Sequence, residues 1–424
     1  MLLCLFEDRD VSCLEPLTLT RPAFDLWCGG RPLWVHQSHY FACSELGALV
    51  RPFIAEISRL DHPHLSINDP FWLQRGVTVL VNARWLPPPG QLTDLATPRV
   101  GMVNDTVAFV VLPPGAVPPC SLRHLPGWIS SWEEKLPTAP AGGVLMTYPW
   151  DLVEANASVL KERETLLPFT PTVPAGVSIV GPREGLLLDP TASVEPCVVI
   201  DTRPGPVIID RGAIVQAFSR LEGPCYIGQE SHILGARVRA STIGPVCRVG
   251  GEVEASIIQG YSNKAHDGFL GHSYVGAWVN LGAGTQTSDL RNDYGRVSVP
   301  LGGQATDSGL RKVGAFIGDH TKTGLNCLLN TGSVVGAFCN ILPTGSLLPK
   351  FIPSFCTIWH GQLREREDLP AALATAATMM RRRGCRLSPA HADFVRALAA
   401  ATADDRFQAI RSRDLGWLRR ALRA

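Results

Sequence analysis

The strongest constraint in this chain is a six-residue beat. Ile317, Thr323, Leu329, Val335 and Ile341 recur without a slip, and Gly318, Gly324 and Gly336 follow three of them. Six extended residues span about 20 Å at roughly 3.3 Å each, which is one flat face of a three-sided coil if the chain turns at the end of each hexad. The aliphatic residue points inward, and a tiny neighbour relieves crowding where the backbone bends. A half-buried strand shows a two-residue alternation, and an amphipathic helix places apolar residues three and four apart. Neither gives this period. The spacing returns in fragments from Ile227 to Ile233, Ile243 to Val249 and Val275 to Leu281. The pattern predicts a parallel β-helix.

Three regions follow. Residues 1–167 mix short apolar runs with proline-rich turns; Leu2 to Phe6, Val77 to Val81 and Val107 to Leu112 read as buried strands and Asp151 to Glu164 as a helix, an α/β domain. Residues 168–361 form the coil. Residues 362–424 read as a helical extension, with Gly384 as a stop signal and Ser388 and Pro389 as N-cap and first-turn proline. Arg381, Arg382 and Arg383 read as cations offsetting the dipole at a helix end, and no chemistry is expected in this extension. The six-residue repeat weakens from Gly260 to Gly271 and from Thr285 to Arg311, where loops are expected to leave the coil.

Composition narrows the function. A formal charge of +1 over 424 residues, without a long basic run, argues against a nucleic-acid partner. Twelve cysteines scattered from Cys4 to Cys385 include no CxxC pair and follow no signal peptide, which suits a reduced, cytoplasmic protein without a zinc site. No apolar run is long enough to cross a bilayer, so no membrane role is expected.

The densest polar segment lies between Gly260 and Gly268: Tyr261, Ser262, Asn263, Lys264, His266 and Asp267. Lysine is rare here, six against thirty-three arginines. A compact ammonium suits a phosphate, and an imidazole with an unperturbed pKa near 6.5 suits a general base, its tautomer set by Asp267. The same residues read equally as a hydrophilic turn held by local hydrogen bonds.

Lys264, Ala265 and His266, then Phe269 to Gly271, then Val279 to Thr285 resemble the acetyltransferase half of the bifunctional UDP-N-acetylglucosamine pyrophosphorylase and glucosamine-1-phosphate N-acetyltransferase family. Leu14 to Pro22 and Gly260 to Gly271 are similar to a divergent, sugar nucleotidyltransferase-like branch of that family. The resemblance implies a left-handed hexapeptide β-helix that transfers acetyl from acetyl-CoA to glucosamine 1-phosphate, usually as a homotrimer. It also implies a front domain that couples a sugar 1-phosphate to UTP or dTTP with Mg2+. It makes His266 the base that accepts the amine proton and places Asn280 against the sugar; Tyr261, Asn263 and Lys264 of the polar segment are the further candidates for binding the substrate. Gly282 and Ala283 would lie against acetyl-CoA, and Asn292 and Tyr294 stand as counterparts of a family asparagine-tyrosine turn. In the front domain Thr20 and Arg21, then Gly29 to Leu33, resemble parts of the family's nucleotide-binding segment. The glycine-rich loop is absent, and Glu7 and Asp8 stand in its place. Arg21 and Arg31 read either as bidentate anion clamps or as pins for a loop. Asp105 is the candidate magnesium ligand, though a lone aspartate also suits an ordinary turn. Two other readings stay open: a nucleotidyltransferase whose coil only oligomerises it, and a non-catalytic module that binds sugar nucleotides.

Overall fold

The computed structural model describes residues 2–43, 45–118, 120–162 and 172–421. The expected boundary between Leu167 and Pro168 lies outside these. Two compact units emerge, one of residues 1–14, 20–26 and 31–148, the other of residues 15–19, 27–30 and 149–424.

The first unit holds a seven-stranded sheet in the order 138–140, 99–103, 106–111, 77–82, 2–6, 45–49, 66–67. Leu2–Phe6 is buried along its whole length and pairs in parallel with Glu45–Leu49 and Val77–Asn82. A strand covered on both faces needs such an unbroken apolar run. Thr106–Val111 then returns antiparallel against Val77–Asn82 and closes a hairpin with Arg99–Val103.

The second unit contains a parallel β-helix and a helical C-terminal extension. One face of the coil stacks six strands from Ser178–Val180 to Phe269–Gly271, and the next stacks nine from Leu186–Leu188 to Phe351–Ile352. The third runs from Ser193–Val194 to Asn263–Lys264 and resumes at Lys322–Thr323, with Asn280 bridging Asn263 and Lys322. All five residues of the defining hexad series point into the core. Buried hydroxyls stitch successive turns together: Ser262 accepts from the Val279 N–H, Ser273 from Ala315 and Thr321 from Cys339. They replace ladder bonds that the corners interrupt.

One corner is built from residues in the left-handed region: Tyr261, Trp278, His320, Phe338 and Phe355 have φ between 54° and 60°. Their rings form a continuous column, with centroid separations of 4.3, 6.0, 4.6 and 5.2 Å. Phe338 and Phe355 pack beneath the helices Leu369–Arg381 and Pro389–Ala401 through Ala372, Leu373, Ala376, Val395 and Leu398. Asp368 and Ser388 cap these two helices by accepting from the Ala371 and His391 N–H groups.

Candidate functional site

The first interruption of the repeat does not leave the coil. Asn263–Lys264 pairs in parallel with Arg248–Val249, so Lys264 occupies the inward position that Val249 takes one turn earlier. Its side chain is 3% exposed, and its ammonium donates to the carbonyls of Gly250 and His266, each at 3.0 Å. Burial pushes its pKa down to about 8, and Asp267 and Glu252 only partly restore it. The phosphate-binding role expected of Lys264 is therefore corrected: an ammonium enclosed in the coil and spent on two carbonyls pins a corner. Tyr261 is half-buried, its ring stacked on Trp278 in the corner column.

His266 is exposed on the bend that Lys264 holds. Directly beyond it the Asp267 carbonyl accepts from the Gly284 N–H at 2.9 Å, while the Ala283 carbonyl accepts from Asn326 at 2.8 Å. The structure thus stacks the His266–Asp267 corner on the Gly282, Ala283 and Gly284 corner of the following turn. A Cβ at Gly282 would fall 2.5 Å from the Gly324 carbonyl oxygen, so close coil-to-coil approach requires glycine there.

Asn263 and Asn280 face outward on the third face and meet at 3.4 Å, with Lys322 next in the column. The end of the Leu369–Arg381 helix lies against them, and the Arg383 guanidinium donates to Asn263 Oδ1 at 2.9 Å. Between helix and coil is a cleft of about 540 Å³ lined by Asn263, Asn280, Lys322, Thr378, Arg382 and Arg383, with alanine and methionine on its helical wall. The extension, expected to carry no chemistry, supplies seven of the ten residues lining this cleft. The signal was the arginine run itself, whose Arg383 crosses to the coil.

The second interruption does leave the coil, and carries an antiparallel hairpin of Ser298–Leu301 with Gln304–Asp307. Asn292 and Tyr294 are exposed on this excursion, beyond the strand Gln286–Thr287. Asn292 lines a separate cleft with Asn330 and Lys350. The structure therefore does not gather these two residues at the corner that presents His266. Where the excursion departs, His272 Nδ1 and Asp289 Oδ2 meet at 2.7 Å, a mostly buried pair that the sequence reading missed because 17 residues separate them.

In the first unit, the carboxylates that replace a glycine loop are satisfied internally. Buried Glu7 accepts from the Ala23 N–H, the Arg51 N–H and the Arg51 guanidinium. Asp8 accepts from Nε and Nη2 of fully buried Arg84 at 2.7 and 2.6 Å, and Asp10 approaches the same guanidinium at 3.4 Å. Arg21 gives its carbonyl to Arg51; Thr20, Arg21 and Arg31 are half-buried. Asp105 sits at the exposed tip of the 99–111 hairpin, where it reads as a turn residue. Among the described residues no three His, Cys, Asp or Glu side chains gather as a metal site. No helix among the described residues is long and apolar enough to cross a membrane.

Residues 3–168 match the family model for sugar nucleotidyl transferase. The chain is 41% identical over 92 residues to the bifunctional sugar-1-phosphate nucleotidylyltransferase/acetyltransferase of Sulfurisphaera tokodaii, covering 22% of this chain and 23% of that protein. It is 33% identical over 138 residues to the bifunctional protein GlmU of Gloeothece citriformis, covering 32% and 26%. Against GlmU of Rippkaea orientalis it is 30% identical over 178 residues, covering 42% and 31%. The chain thus spans less than a third of the length of these relatives. Among solved structures, a hexapeptide transferase family protein from Anaplasma phagocytophilum aligns with 48% of this chain and 92% of its own, at 14% identity and a TM-score of 0.18.

Residues 3–168 are thus similar to sugar nucleotidyl transferases, ahead in sequence of a parallel β-helix. Over part of its length the chain is similar to the bifunctional nucleotidyl- and acetyltransferases.

Proposed function

We propose that the coil transfers an acetyl group from acetyl-CoA to the amine of glucosamine 1-phosphate or a related amino-sugar phosphate. The observation that carries this reading is the stacked pair of corners: exposed His266, anchored by Lys264, beside the small Gly282 and Ala283. Acetyl-CoA supplies the activated thioester. His266 accepts the proton that the amine loses as its nitrogen bonds the acetyl carbon, and the coenzyme leaves as its thiol. Gly282 and Ala283 leave room for the coenzyme arm, and Asn280 orients the sugar from the neighbouring face. The same reading carries a cytoplasmic homotrimer with small-molecule partners, and neither nucleic acid nor membrane. The test is thiol release from acetyl-CoA by the purified protein with glucosamine 1-phosphate. Release that depends on the amino sugar and is lost in His266→Ala supports the reading; no release with any amino-sugar phosphate ends it.

The match over residues 3–168 favours a second activity, nucleotidyl transfer from UTP or dTTP to a sugar 1-phosphate in the front unit. Pyrophosphate release that disappears in Arg21→Ala tests it. Because Asp8 and Asp10 face Arg84, the metal such a reaction uses would arrive with the nucleotide rather than in a carboxylate cage.

A further inference from the structure

The cleft between the Leu369–Arg381 helix and the third face of the coil is lined by three cations, Lys322, Arg382 and Arg383, and by no carboxylate among the described residues. Further cations flank it. Arg248 continues the Asn263 column in the other direction, with the Glu230 carboxylate near it, and His232 lies beyond, its pKa pushed below the ordinary imidazole value by burial and by Arg248 and Arg383. Arg366, hydrogen-bonded to the Phe338 carbonyl at 2.9 Å, adds to the charge around Lys322. Glu367 and Asp368 line a different cleft at the other end of the helix, with Arg364 and Arg366.

Like charges held together near low-dielectric walls repel strongly, and the arrangement is relieved when an anion enters. Simple dipole compensation at the helix end does not explain it. Arg381 stays with Thr378 on its own helix, whereas Arg383 reaches across to Asn263 and Arg382 faces the cleft. The amides of Asn263 and Asn280 add donors and acceptors suited to hydroxyl groups. The volume of about 540 Å³ lies within the range of small-molecule sites.

We infer that this cleft binds the phosphate of a phosphorylated sugar, with Lys322, Arg382 and Arg383 contacting the phosphate and Asn263 and Asn280 the hydroxyls. The choice of a sugar phosphate rests on the transfer reading above; the phosphate site itself rests on the charges and amides of the cleft. The helical extension then acts as one jaw of the site.

The test is calorimetric titration of the full chain, without acetyl-CoA, against glucosamine 1-phosphate, glucosamine, inorganic phosphate and coenzyme A. Saturable binding of the sugar phosphate is expected, with glucosamine at least tenfold weaker and affinity falling as salt rises. Arg382→Ala alters an exposed side chain, and Lys322→Met keeps the volume of a half-buried one, so both variants are expected to fold; each is expected to lose tenfold or more. Binding of coenzyme A without the sugar phosphate, binding unchanged in both variants, or no binding up to about 10 mM, roughly 2.7 kcal/mol by affinity arithmetic, overturns the inference. Sugar-phosphate binding without acetyl transfer removes the transfer reading alone, and transfer with full activity in Arg382→Ala and Lys322→Met removes the cleft alone.

Discussion

Arg383 Nη2 donates to Asn263 Oδ1 at 2.9 Å across 120 positions of sequence. That bond fastens the end of the Leu369–Arg381 helix to the outward column of the coil. Arg383→Ala is expected to speed amide exchange along this helix and to lower stability by about 1 kcal/mol, the net worth of one hydrogen bond. Unchanged exchange would mean that the apolar contacts around Phe338 hold the helix without it.

Lys264 gives a pH-dependent signature. Its folded pKa of about 8 lies below the ordinary 10.5 because burial disfavours the ammonium. Between those values the unfolded chain holds a proton that the native chain has released, so stability rises with pH across this window. The slope is about 1.4 kcal/mol per pH unit at most. Denaturant titrations of wild type and Lys264→Met at pH 7 and pH 9.5 are expected to diverge in favour of wild type at the higher pH. A constant difference would show that the ammonium is solvated.

Glu7 tests the front unit. Its carboxylate is buried and takes two backbone N–H groups and the Arg51 guanidinium. Glu7→Gln leaves that guanidinium facing a neutral amide, and replaces one acceptor oxygen by a donor. A loss of roughly 3 kcal/mol is expected for breaking such a buried pair, seen as a lower thermal midpoint. A midpoint within experimental scatter of wild type would show that the pair contributes nothing.

The coil was legible because inward aliphatics and corner glycines are local demands of geometry, as at Ile317 and Gly318. Lys264 was misread for the same reason: a lysine in a polar run looks exposed, and only the pairing with Val249 shows that it points inward. Nothing local reveals that Trp278 stacks on Tyr261. The Arg383–Asn263 bond and the His272–Asp289 pair join residues that only the winding of the coil brings together. His266 stands out in one dimension because it lies in a polar bend bounded by glycines, and the structure leaves it exposed.

His266 and Asn280 are expected to separate in kinetics. Removing a general base costs about 10²- to 10⁴-fold in rate, so His266→Ala is expected to lower kcat while leaving KM for the amino sugar nearly unchanged. Asn280→Ala removes a contact made alike in ground and transition states, and is expected to raise KM with little change in kcat. Steady-state measurement of acetyl transfer decides between this division and its reverse, which would place the sugar against His266 and the chemistry elsewhere.

Lys322 sets the pH range of the cleft. Burial lowers its pKa to about 8, and Arg366 adds to the shift. The other cations lining the cleft are arginines, Arg382 and Arg383, which keep their charge throughout the accessible range. His320, whose carbonyl accepts from the Lys322 ammonium at 2.9 Å, is stacked between Trp278 and Phe338. A bound phosphate favours the protonated ammonium, so binding raises the Lys322 pKa and takes up protons near pH 8. Affinity for glucosamine 1-phosphate is therefore expected to be highest near pH 7 and to fall as pH rises through 8 to 9. Lys322→Met is expected to remove that dependence while retaining weak binding through the arginines. Calorimetry in two buffers of different ionisation enthalpy reads the proton uptake directly; an affinity that is flat from pH 7 to pH 9 in wild type would take Lys322 out of the phosphate site.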